Sequence, residues 1–161
     1  MIAAFCSWLG NTPLSMLIQN NSWIIPSVQT VHILAISVVM ASIVMLDLRL
    51  LGAFARTQTV FDVSERFVPW VWAAVGVLAL TGALLIVGEP GRELQNVVFW
   101  LKMSLLACAL VVTFVIQYTT RRSHQFWDHR RGAAYAVAIV SLILWTGIVG
   151  AGRWIAYWEH G

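Results

Sequence analysis

Residues 30–40 read TVHILAISVVM, an apolar run that holds one histidine, His32. Inside lipid an imidazole can ligate haem iron, or it can hydrogen-bond a quinone. Three more polar residues belong with it. Gln29 lies one turn earlier, Lys102 sits in VVFWLKM, and Arg153 sits in GAGRWIAYW. If these runs cross a bilayer, His32 stands nine residues past Trp23, roughly 13 Å below the interface at 1.5 Å per residue. Arg153, five residues before Trp158, stands roughly 7 Å below it. Ionisable residues at such depths mark functional sites by default. That half of the spans offers no carboxylate, and Glu89, Glu93 and Glu159 are the nearest acids. An imidazole beneath two cations suits haem b, with His32 on the iron and Lys102 and Arg153 on the propionates. It also suits a quinone, with His32 or Gln29 donating to a carbonyl oxygen.

The haem reading lacks a second histidine. His160 follows the last span, while His124 and His129 belong to a loop at the other end. Iron would be five-coordinate, would take Met103 or Cys108, or would meet a ligand from another subunit. Each residue also has a plainer reading. Lys102 and Arg153 can snorkel to the interface. His32 and Gln29 can form an interhelical hydrogen bond that fixes packing. Gly147, Gly150, Ala151 and Gly152 read as close helix packing, and Cys108 as a small core residue. His124 and His129, in SHQFWDH, read as solvated.

The elements that must position these residues follow from composition. Of 161 residues, 60% are hydrophobic and 11% are charged. A soluble domain carries about a quarter charged residues, so lipid is the expected solvent. Four runs reach the ~20 residues needed to span. They are 23–46, 69–88, 97–118 and 133–158, each with Trp or Tyr at an end. The fold expected is an all-α membrane protein, a four-transmembrane-helix bundle in one domain over 1–161. A short N-terminal interfacial segment, 1–21, precedes it as one or two helices. Thr12 is the expected cap of a helix that starts at Pro13. This segment has no basic n-region and is expected to be retained. The loop after the first span is expected to be partly helical.

Orientation follows the arginines. One loop holds Arg49, Arg56 and Arg66, and another holds Arg121, Arg122, Arg130 and Arg131. The loop between the second and third spans holds only Arg92, beside Glu89 and Glu93. The positive-inside rule then places both Arg-rich loops in the cytoplasm and both termini in the periplasm. The net charge of +3 reads as topology, not as nucleic-acid binding. Patterns for zinc, attached c-type haem, phosphate loops and disulfide frameworks are absent.

WLGNTPLS, SWIIPSVQTVHILAI, MLDLRLLG, FVPWVWA, FWLKM and GAGRWIAYW occur in this order. Together they resemble a family of small four-helix bacterial inner-membrane proteins of uncharacterised function. The resemblance implies the four-span architecture and a bacterial inner membrane, and no reaction. His32, Lys102 and Arg153 all fall inside these motifs. Some relatives carry a histidine near the end of the third span, where this chain has Gln117 in VIQYTT.

The functional expectation is a redox-associated membrane subunit. It would bind haem b, or a quinone, at His32, Gln29, Lys102 and Arg153, with His32 as the metal ligand. It would pass electrons to or from a membrane or periplasmic partner, and is not expected to be an enzyme alone. The alternative is a structural or assembly subunit, packed in a larger complex or a homo-oligomer, without a cofactor. A channel or transporter ranks below both, because the spans lack the carboxylates and broken helices of an ion path.

Overall fold

A computed structural model of the chain describes residues 2–55 and 57–155, and the side chains of all of these except 2, 3, 92, 93 and 155. Four helices are long and apolar enough to cross a membrane: α3 (Ile24–Leu50), α4 (Val60–Gly88), α6 (Val97–Arg122) and α8 (Arg131–Ile155). Only 22–33% of each helix's most apolar stretch is buried within the chain. Most of the apolar surface therefore faces outward, as lipid requires and water would penalise. Ile33, Leu80, Leu101, Val111, Phe114 and Ile143 are on that outward surface. The expected anchor Trp158, along with Tyr157, His160 and Arg56, lies outside the described residues.

Local chemistry sets the helix ends. Thr12 caps α2 (Pro13–Asn20), accepting from Ser15 N at 3.3 Å, with Pro13 at the first position. A capping box opens α4 nine residues before Pro69. Thr59 Oγ1 accepts from Asp62 N, and Asp62 Oδ2 accepts from Thr59 N at 2.9 Å. The helix therefore begins well before the expected span at 69. α3 likewise continues to Leu50 and closes on Gly52, whose φ of +66° favours glycine. The first loop shrinks to 51–59. Asn96 caps α6, accepting from Val98 N at 2.9 Å.

The spans form two antiparallel hairpins, α3 with α4 and α6 with α8, joined mainly where α3 meets α8. Two apolar layers fill the interior. At the Arg-rich end Leu46, Val63, Ile116, Trp127 and Ala138 pack together. Mid-bundle, Val39, Ile43, Val71, Ala109 and Trp145 do so. The Arg-rich end is also tied by polar contacts through α7 (Phe126–His129). Arg49 Nη2 meets Asp128 Oδ1 at 2.7 Å while Arg49 Nε donates to Gln58 O, and Trp127 Nε1 donates to Thr120 Oγ1. At the opposite end α1 (Ile2–Gly10) and α2 dock on the end of α4 and on α5 (Pro90–Leu94). Ser15 Oγ donates to Val87 O at 2.7 Å and Gln19 Nε2 to Gly88 O at 3.0 Å.

Candidate functional site

His32 lies beyond the mid-bundle layer, toward the α1–α2 end, and is half-buried. Two residues of α4 hold its ring. Its Nδ1 is 2.7 Å from Thr81 Oγ1. Gly82 lies under the ring, since a Cβ there would stand 3.7 Å from His32 Cε1. The direction of the hydrogen bond follows from the threonine. Thr81 has one hydroxyl proton, and it donates that proton to Val77 O at 2.7 Å. Its lone pairs are left to accept, so His32 Nδ1 carries the proton and donates. In the neutral ring Nε2 then keeps its lone pair. A metal-ligating histidine has this arrangement, with one nitrogen held by a second group and the other on the metal.

Lys102 of α6 is half-buried and lies within coulombic reach of His32. Its Cε and Nζ pack over Gly152 of α8, each 3.8 Å from where a Cβ would stand. A Cβ at 152 would therefore meet the end of the lysine in ordinary van der Waals contact. His32, Thr81 with Gly82, Lys102 and Gly152 thus bring all four spans to one level. Gly147 packs on Leu105 Cδ1 at 3.6 Å by the same measure, in keeping with close helix packing there.

Two expected site residues sit differently. Gln29 was expected to face the bundle with His32, but it is exposed. Three residues at 100° each place it far enough round the helix to leave the seam. Arg153, expected to share the site with His32, is exposed too, as are Thr146 and Gly150 on the same helix. The buried face of α8 is instead Ala134, Ala138, Ser141, Trp145 and Ile148. Arg153 still follows Gly152 directly and so shares the level of Lys102. The expected alternative iron ligands Met103 and Cys108 are both exposed. Among the described residues, no group of three or more His, Cys, Asp or Glu side chains could hold a metal ion. At the other end, His124 stacks on Phe61 with centroids 4.0 Å apart, and His129 Nδ1 lies 2.9 Å from Gln125 O. Both are exposed.

Thr81 is the site residue that pattern reading passed over. Its only signal was a Thr–Gly pair in ALTGALL, opposite His32 in an antiparallel hairpin. Gln117 accepts from Trp72 Nε1 at 2.9 Å. It joins α6 to α4 on the outer surface of the bundle.

Residues 6–158 match a family of unknown function (DUF6644), and the chain belongs to that family. No curated protein and no solved structure matches it.

Proposed function

We propose that this member of the family is a redox subunit embedded in the membrane, which holds haem b through His32 Nε2. The observation that carries the reading is the Thr81 hydroxyl on Nδ1, which fixes the ring and leaves the Nε2 lone pair to bind iron. Lys102, which packs on Gly152, would meet a propionate, and Arg153, next to Gly152, would approach it from α8. Among the described residues His32 is the side chain that would hold the iron. Met103 and Cys108 are exposed on α6, and we assign any second protein ligand to a partner or a second copy. Bound haem supplies one-electron transfer, and substrate chemistry then belongs to the partner. The positive-inside rule orients the protein with its Arg-rich end in the cytoplasm and His32 in the outer half.

A second reading rests on access. His32 is half-buried at the α3–α4 seam, and apolar Ile33 and Leu80 on the same helices are exposed. A quinol could approach from the bilayer, its hydroxyl donating to Nε2 and its other oxygen accepting from Lys102.

The test is the visible spectrum of the full chain in mild detergent, as isolated and after dithionite. The haem reading expects a Soret band that shifts on reduction, with α and β bands emerging, and loss of both in His32→Ala. A featureless spectrum at good haem supply would overturn it. Copurifying quinone, lost in His32→Ala, would then support the second reading. A colourless, quinone-free protein would point to a structural subunit.

A further inference from the structure

A second polar site lies at the other end of the bundle, about fifteen residues along α3 from His32, or ~22 Å. Asp47 is fully buried, and neither carboxylate oxygen makes a hydrogen bond. Across the α3–α8 seam, Ser141 is also fully buried, and its hydroxyl acts on the carboxyl without forming a bond of ordinary geometry. One turn further along α8, the indole N–H of Trp145 is buried and unpartnered too. Buried polar side chains with unmet hydrogen-bonding capacity are costly inside an apolar bundle, and such groups call for a functional account.

The charges around Asp47 do not neutralise it. Arg49, on the same helix, is committed to Asp128 and Gln58 O. On α4, Asp62, Glu65 and Arg66 are exposed, as is Arg131 on α8. Among the described residues no cation lies against the carboxyl. An ionised carboxylate at such a place would meet the full cost of charge burial, whereas the neutral acid avoids it. The acid form also gains an O–H, for which Ser141 Oγ is the facing acceptor.

A route to the surface lies one turn away. A basin of about 520 Å³ opens at the Arg-rich end, lined by Leu50, Arg49, Val60, Trp127, Asp128 and Arg131. Leu50, which lines it from α3, is three residues past Asp47, or ~4.5 Å along the helix.

We propose that Asp47 is a proton-binding site, which exchanges its proton with the Arg-rich end of the bundle through the basin that Leu50 lines. The site does not depend on what His32 binds. Its role is to take up or release one proton on the side of the membrane opposite the His32 site.

Infrared spectroscopy of the full chain in lipid tests this. At neutral pH exposed carboxylates, with ordinary values near ~4, are ionised. One protonated-carboxyl C=O band is therefore expected in the wild type, shifting in D2O and absent from Asp47→Asn. If Asp47→Asn does not fold, Asp47→Glu keeps the acid and moves the band. A spectrum with ionised carboxylates alone would overturn the proposal, and so would a band that survives in Asp47→Asn. A band that does not shift in D2O would overturn the exchange with the basin. Loss of haem or quinone from the other site leaves each of these outcomes unchanged.

Discussion

At the residue scale, the pair to test is His32 with Thr81. The hydrogen bond joins α3 to α4, and it also orients the ring. Interhelical hydrogen bonds in membranes average about 0.6 kcal/mol, with a maximum near ~1.7. A double-mutant cycle of His32→Ala and Thr81→Val, read by unfolding in mixed micelles, should give a coupling in that range. Thr81→Ser keeps the hydroxyl and should behave as wild type. A coupling of zero would mean that Thr81 does not hold the ring. His32 was legible in the sequence because an imidazole stands out in an apolar run. Thr81 was not, because a threonine in a helix can satisfy itself on its own helix's carbonyl, as this one does at Val77. Asp47 was hidden differently. Its neighbour Arg49 made LDLRL look like the exit of a span, yet the helix runs on to Leu50 and turns the acid inward.

At the element scale, the spans themselves were legible from length and apolarity, but the faces they present were not. A helix that is apolar on every side carries no phase in its pattern. Gln29 and Arg153 were therefore assigned to the wrong side, whereas the helical part expected in the first loop is there, opening α4 at Val60. Local signals worked better at the caps, where one side chain decides the geometry. Thr12 with Pro13 did mark the start of α2. The docking of α1 and α2 gives the second prediction. A Cβ at Gly88 would stand 3.0 Å from Ile18 Cγ2, too close without a shift. Behind that contact Cys6 is buried, its Sγ 3.5 Å from Pro90 O. In a Cys108→Ala background, Gly88→Leu should force α2 outward, cost about 1–3 kcal/mol as overpacking does, and speed maleimide labelling of Cys6 several-fold. If the labelling rate stays at its wild-type level, Gly88 is not what seats the N-terminal helices.

For the whole molecule, the two sites matter because they lie at opposite ends of one bundle, and charge decides which end faces which side. Beyond the pairs Arg49–Asp128 and Arg121–Glu65 the Arg-rich end carries Arg66, Arg122, Arg130 and Arg131 against the exposed acid Asp62, so it stays net positive after pairing. Positive segments are retained on the cytoplasmic side during insertion. Single cysteines placed in a cysteine-free chain can report this. Gln95→Cys and Ser123→Cys replace exposed residues, one before α6 and one after it. An impermeant maleimide on intact cells should label Gln95→Cys at once, and Ser123→Cys only after permeabilisation. That pattern would set His32 in the outer half and open the Asp47 basin to the cytoplasm. The reverse pattern would invert both sites together, because one rigid span, α3, carries His32 near its start and Asp47 near its end. Labelling of both positions on intact cells would instead deny that α6 crosses the membrane, and would remove the lipid setting from which both site readings draw their force.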